Sequence, residues 1–182
     1  LGKAFNEMTG ELKALVSDLE PRVAERTRDL EHRSLELQTA AQIARDASLA
    51  SNGDDLLSRT VRLIRDRFGF YHVGIFLHDD RGEYTVLHAA GGDAGQVMLA
   101  NKYKLPIGEV GIVGYVSKSG EPRIALDVGA DAVHFRNPML PYTRSEMALP
   151  LKVGSRILGV LDVQSDKVNV FDQNDITIME IL

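Results

Sequence analysis

The stretch TRSEMALPLKVGSRILGVLDVQS, residues 143–165, holds two runs of alternating apolar residues around a Val153-Gly154-Ser155-Arg156 turn. Period-two alternation broken by a glycine turn marks a β-hairpin. Three polar residues, Arg144, Ser145 and Glu146, stand just before its first apolar run. They read chiefly as the trim of a strand: Arg144 and Glu146 flank its edge, and Ser145 bonds backbone where the chain joins the sheet. Arg144 and Ser145 also count as secondary candidates for ligand contact, with Met147 beside them.

The chain has 182 residues, room for one domain and an appendage or for two small domains. Its 44% hydrophobic content supports a core, and a net charge of −5 argues against a dedicated nucleic-acid binder. There is no cysteine. Disulfides, thiolate zinc sites, iron–sulfur clusters, thioether-linked chromophores and thiol nucleophiles are excluded for these residues. No run of about 18 or more apolar residues appears, and no signal peptide is visible. The chain starts at Leu1 and stops inside NDITIMEIL, a helical pattern without a C-cap signal. Both ends read as cuts in a longer protein.

Composition shifts near residue 51. Only two of the sixteen glycines and one of the six prolines precede it, so residues 1–50 read as continuous helix and 51–182 as a mixed domain. In the first segment Val16, Val23, Leu30, Leu37 and Ala44 recur every seven residues. Leu12, Leu19, Ala40 and Ala47 form a second track, interrupted by Arg26 and Arg33. Two such tracks make a coiled-coil seam and predict a parallel homodimer through residues 12–49. At 1.5 Å per residue the helix from Leu12 to Leu49 would run about 57 Å, kinked or restarted at Pro21. The alternative is a long amphipathic helix lying on its own domain.

In the second segment, Leu57, Val61, Ile64 and Phe68 lie on one face of a helix that Asp54 or Asn52 would cap. Val73, Ile75 and Leu77 then alternate against His72, Gly74, Phe76 and His78, and after DDRGE the residues Tyr84–Ala90 alternate again, a second hairpin. A short helix AGQVMLAN, a strand near Tyr103–Leu105, a helix Val110–Ser119 and a strand Arg123–Leu126 follow. The opening hairpin completes the sheet, and Asp172 caps a last helix. Strands joined by hairpins with helices gathered around them predict an α+β fold with an antiparallel sheet.

Several residues are candidates for chemistry. The loop DVGADAVHFRNPMLPYT, which begins at Asp127, is long for a compact domain, and such loops tend to be lids or binding loops. It carries His134, Phe135, Arg136, Asn137 and Tyr142, a mix suited to stacking on a ring and holding its polar edge. Phe76, Tyr115 and Asp127 complete the predicted ligand-binding set. GEVGIVG lacks the Gly-Lys-Ser/Thr of a P-loop, and its glycines read as helix-on-sheet packing or an anion-holding helix start. The five histidines form no zinc spacing. His88, expected to face Phe76 across the hairpin, reads as a core or edge histidine, with an axial haem ligand as the sharper alternative. No nucleophile–base pair stands out.

The segments FGFYHVGIFLHD, GEVGIVGYVSKSGEPRIALDV, RSEMALPLKVGSRILGVLDVQS and FDQNDI together resemble a GAF domain, from about Ala41 to Leu182. The resemblance implies a GAF-type, PAS-like antiparallel sheet flanked by helices, with the 127–142 loop over a ligand cavity. LGKAFNEMTGEL is similar to the closing helix of a HAMP linker, and LEPRVAERTRDLE to the connector that follows it in membrane-bound sensor kinases. These likenesses imply the cytoplasmic part of a bacterial inner-membrane signalling protein, reaching the membrane only through a preceding part, with an output domain beyond Leu182. The phytochrome-like class attaches its bilin through a cysteine and the methionine-sulfoxide-reducing class needs cysteines, so this chain departs from both. Against the cyclic-nucleotide N-K-F-D-E pattern, Phe171 and Asp175 match, whereas Ser165 stands near the Asn position and Ile176 where Glu would be. The expectation is a non-catalytic sensor that binds an unknown small molecule, with no cofactor identified. The competing expectation is a dimerising spacer with a filled core.

Overall fold

The computed structural model describes residues 17, 19–31, 33, 34, 37–39, 41, 42, 53–108, 110–133 and 135–179. The chain divides into two units, Leu1–Gln38 and Thr39–Leu182. In the first, the described residues are helical, and Leu19, Val23, Leu30 and Leu37 are exposed on the single chain. Leu12, Val16, Ala40, Ala44 and Ala47, the rest of the expected seam, lie outside the described residues. No helix among the described residues is long and apolar enough to cross a membrane.

The second unit is built on a six-stranded sheet. Its strands are β1 His72–His78, β2 Tyr84–Ala90, β3 Lys104–Pro106, β4 Arg123–Ala125, β5 Ser145–Val153 and β6 Arg156–Ser165. Its helices are α1 Gly53–Phe68, α2 Gly92–Ala100, α3 Gly111–Ser119 and α4 Gln173–Met179. The spatial order is β3-β2-β1-β6-β5-β4, every neighbouring pair antiparallel. Two hairpins, β1–β2 and β5–β6, thus meet at the centre, where β1 pairs with β6.

Because strand side chains alternate, each face collects every second residue. On one face Val73, Ile75, Met147, Leu149, Leu161 and Val163 pack against Val61 and Ile64 of α1 and Ile176 and Met179 of α4. The expected helix face is present: Val61 and Ile64 are fully buried, with Leu57 and Phe68 packed on the same cluster. The last helix begins as its sequence suggests, the Asp172 carboxylate accepting from the amides of Asn174 and Asp175 at 2.7 and 3.1 Å. On the other face Phe76, Ala148 and Val160 meet Met98 of α2, Ile112, Val113 and Val116 of α3, and Leu140. Both faces are therefore covered.

Two expected placements change. The first helix starts at Gly53, so Asp54 lies inside its first turn instead of capping it; Asn52 lies outside the described residues. The register between β1 and β2 slips between Ile75 and Phe76: Ile75 pairs with Ala89 and Phe76 with Leu87, leaving His88 as an extra residue. A bulge of this kind breaks the alternation, and His88 turns out to solvent beside Asp54 at 3.9 Å instead of facing Phe76.

The centre of the sheet is tight at Gly159, where a β-carbon would meet the Phe76 carbonyl oxygen and the Leu77 backbone. Neither obstacle is a flexible side chain. Gly159→Ala is expected to lower stability by about 1–3 kcal/mol in urea unfolding, the range for overpacked interiors; an unchanged midpoint would show that β1 and β6 can separate there at no cost.

Candidate functional site

The face of the sheet under α2, α3 and the 127–142 loop carries three cross-strand rows. His72, Gln164 and Glu146 form the first, Gly74, Asp162 and Ala148 the second, and Phe76, Val160 and Pro150 the third. Neighbours in a row stand about 5 Å apart. Polarity thus falls along the face, from a polar row, through an acid between two small residues, to an apolar row. Gly74 and Ala148 leave room around Asp162. A β-carbon on Gly74 would already press on His72 Nε2 and on Leu87, both at 3.2 Å.

Over this floor lies a pocket walled by Phe76, Met98, Leu105, Ile112, Phe135 and Leu140. The free space is ≈ 30 Å³, enough for one or two water molecules. Any larger ligand requires the loop to yield. Tyr103 stands at one side with its ring edge-on to Phe76, centroids 6.4 Å apart. Its hydroxyl is pushed up from its ordinary pKa by burial first, then by the charges of Asp162 and Glu146.

The floor is wired together. The Thr143 hydroxyl donates to Gln164 Oε1 at 2.6 Å, and Gln164 Nε2 donates to Asp162 Oδ2 at 2.7 Å. Glu146 and Asp162, 4% and 2% exposed, are hydrogen-bonded to each other through their side chains. Burial above all raises the Glu146 carboxyl to about 8; the bond to Asp162 acts downward and the Asp131 charge upward. Asp131 is itself held by Arg123 through two bonds of 3.0 and 3.1 Å, which ties the loop to the edge strand β4. His72 is driven the other way, to about 4, chiefly by burial; a bond to the Gly91 backbone opposes this and Arg65 adds to it. The Gly91 amide already donates to Val73 O, so His72 donates to the Gly91 carbonyl. Among the described residues its Nε2 has no hydrogen-bond partner, and in the neutral ring that atom is an acceptor on a residue that lines the pocket. Asn137 Nδ2 reaches down from the loop and donates to Met98 Sδ, 3.3 Å away.

Of the residues singled out from sequence, Phe76, Phe135 and Asn137 line the pocket; His134 lies outside the described residues. The others are placed away from it. Met147 and Ser145 share the opposite parity of β5: Met147 is buried among Ile64, Val73 and Leu161, and Ser145 Oγ donates to Lys167 O at 2.6 Å. Arg144 is exposed and acts through its backbone, bonded to Ser165 O and Val128 N. Tyr142 is exposed with its edge to Tyr71, and Arg136 is exposed. Tyr115 stands on the outside of α3 under the Arg123 guanidinium, 5.2 Å from its ring centre. Asp127 closes a turn by accepting from the Gly129 amide at 3.0 Å. His88 left with the bulge. Sequence reasoning missed His72, Asp162 and Gln164 and put Glu146 at a strand edge. Among the described residues no cluster of three or more histidine and carboxylate side chains has metal-holding geometry.

The fold is an α+β module on one antiparallel sheet, and the chain belongs to the GAF domain family, whose model matches residues 50–182. GAF domain-containing protein A of Dictyostelium discoideum is 29% identical over 119 residues, covering 65% of this chain and 69% of that protein. A free methionine-R-sulfoxide reductase from Neisseria meningitidis, solved in complex with its substrate, is 26% identical with a TM-score of 0.67, covering 82% of each chain. A putative GAF sensor protein from Burkholderia vietnamiensis shares the fold with a TM-score of 0.71 at 20% identity, over 82% of this chain and 89% of that one.

Opposite linkage signs give a test. Glu146, raised to about 8, stabilises the fold fully below its unfolded value, and that stability is lost as pH rises toward the folded value. His72, lowered to about 4, adds stability as pH rises, but only up to its unfolded value near 6.5. Below that the two oppose each other; above it Glu146 acts alone. Stability is expected to fall by about 2 kcal/mol from pH 6.5 to 8, at roughly 1.4 kcal/mol per pH unit. Chemical denaturation should show this slope in the parent chain and a flat line in Glu146→Gln, and a parent profile equally flat would contradict the site's electrostatics.

Proposed function

We propose that this chain is a non-catalytic sensory GAF domain whose ligand is a small molecule bearing an ammonium group and a short apolar arm. The observation that carries the reading is the acidic floor, two buried carboxyl groups beneath apolar walls. Asp162, Glu146 and His72 Nε2 offer acceptors in a place from which water is largely excluded, and a primary ammonium supplies three donors and the opposing charge. Phe76, Met98 and Leu105 would take the apolar arm, and Asn137 would meet an acceptor at its outer end. A free amino acid has these parts in this order. The Neisseria protein, 26% identical, is a reductase of a free amino-acid sulfoxide. Here the absence of any cysteine leaves no thiol to take up the sulfoxide oxygen, so binding without reduction is the reading.

Signal would leave through the loop. A ligand that competes for Asp162 loosens the Gln164–Thr143 link and so acts on the loop's far end, while the Arg123–Asp131 pair holds its near end. The bias would travel to an output domain beyond Leu182, in a parallel dimer joined through residues 12–49, whose exposed Leu19, Val23, Leu30 and Leu37 would form its seam. Such a bias is limited to the ligand's difference in affinity between the two states. The second reading, a spacer with a filled interior, draws on the ≈ 30 Å³ of free space.

Calorimetry with L-methionine, its R-sulfoxide and N-acetyl-L-methionine separates the two. The amino acids are expected to bind, the acetylated compound to bind at least tenfold more weakly, and Asp162→Asn to lose at least tenfold, the equivalent of about 1.4 kcal/mol. No binding by these or by a panel of small amines would favour the spacer.

A further inference from the structure

Gly74 sits inside β1, paired with Ala90 of β2 on one side and with Asp162 of β6 on the other. A glycine there weakens the strand, because it loses more backbone freedom on folding and brings no side chain to pack. The backbone does not call for one, since Gly74 lies outside the left-handed region. Nor does the bulge, whose extra residue, His88, belongs to β2. Interior glycines also mark places where a ligand or another stretch of backbone approaches closely. At Gly159 that neighbour is the backbone of β1 itself. At Gly74 the three atoms nearest to where a β-carbon would stand all belong to side chains: His72 Nε2 and Leu87 Cδ1 at 3.2 Å, and Phe76 Cε2 at 3.5 Å.

These distances outline a notch with one polar wall. His72 is 1% exposed, and among the described residues its Nε2 has no hydrogen-bond partner. For a carbon atom in the notch, 3.2 Å from that nitrogen is closer than ordinary contact, about 3.5–4.0 Å. For an N–H donor it is a hydrogen bond, about 2.7–3.2 Å. The notch thus disfavours a methyl group and suits a donor. We propose that the notch over Gly74 seats the donor-bearing head of the ligand, with His72 Nε2 as its acceptor and the bare backbone of Gly74 as the specificity determinant. This rests on the ammonium reading above and says where one of the ammonium N–H groups goes.

The placement orders the ligand. His72 and Phe76 flank Gly74 on the same face of β1, Asp162 stands opposite it on β6, and all three of these side chains line the pocket. A nitrogen seated over Gly74 has an acceptor on one side and aromatic surface on the other, so the head of the ligand lies toward His72 and its arm toward Phe76. Selectivity follows from the same geometry. Methylating the nitrogen sets a carbon where a hydrogen would meet Nε2, which leaves the acceptor buried and unpaired, so a primary ammonium is preferred to a methylated one. A β-carbon at position 74 would do from the protein side what the methyl does from the ligand's: it would occupy the notch and cover Nε2.

Calorimetry with L-methionine on the whole chain and three variants tests this, with the urea midpoint of each variant as the check on folding. Gly74→Ala, whose new methyl meets side-chain atoms first, should fold and bind about tenfold more weakly or worse. His72→Leu should lose as much, whereas His72→Gln, which can return an amide oxygen to the place of Nε2, should stay close to the parent. N-methyl-L-methionine should bind the parent about tenfold more weakly than L-methionine, and that gap should narrow in His72→Leu. Nitrogen-15 NMR should find His72 Nε2 without a proton in the free chain and its resonance moving as methionine is added. If Gly74→Ala does not fold, the two His72 variants and the N-methyl comparison decide. A folded Gly74→Ala that binds as tightly as the parent would overturn the subsite and leave the sensor reading standing. So would a proton on Nε2 in the free chain, or an Nε2 resonance unmoved at saturation. Failure of L-methionine and of small primary amines to bind the parent chain would sink both readings.

Discussion

The antiparallel register of β1, β6 and β5 assigns every side chain at the centre of the sheet to one of two faces, and both faces are covered. Everything else follows from that constraint. Val73, Ile75, Leu161, Val163, Met147 and Leu149 fall together and make a core with α1 and α4. Their alternate neighbours, His72, Asp162, Gln164 and Glu146, fall together under the other layer, where there is no bulk water to satisfy them. A one-residue slip would exchange the two sets. The register that builds the core also builds the pocket floor.

That floor is expensive for a small domain. Burying carboxyl groups costs more than an apolar filling of equal volume, and replacing such groups by packed hydrophobic residues is often neutral or stabilising. The structure limits the penalty by raising the Glu146 carboxyl toward its neutral form, by matching Asp131 with Arg123, and by keeping His72 neutral. It does not remove it, because among the described residues His72 Nε2 stays without a partner. A module that served only as a spacer would gain by filling this face with leucine and valine, as it has done on the other. Polar groups kept at such a cost fit a site selected for binding instead of stability.

The elements were legible in the sequence wherever period and turn chemistry agreed. The hairpin at 143–165, the helix face of Val61 and Ile64 and the cap at Asp172 all have local signals, and the structure has them in place. The GAF resemblance supplied the topology that local signals could not. The site was far less legible. In ILGVLDVQS the alternate positions Asp162 and Gln164 look like the solvent face of a half-buried strand, and only the covering of that face by α2, α3 and the loop turns them inward. The clue available was an aspartate in the middle of an apolar central strand. Glu146 was read as strand-edge trim and Met147 as a ligand contact, because a strand end alone does not tell which parity faces which layer: the structure buries Glu146 on the pocket side and Met147 in the opposite core. His88 was misplaced by a bulge that no turn residue announces. In the loop, Tyr142, Arg136 and Asp127 look chemical because they are polar or aromatic, yet each serves or decorates the surface.

The central claim is that the Glu146–Asp162 floor is a ligand's seat and that the loop from Asp127 to Thr143 gives way to admit it. A crystal structure of the chain grown with millimolar L-methionine tests this most directly. The account predicts the amino group within hydrogen-bond distance of Glu146 and Asp162, the thioether arm along Phe76 and Met98, and Thr143 drawn away from Gln164. A closed loop over a floor holding only water, with the amino acid bound elsewhere or absent, would contradict it.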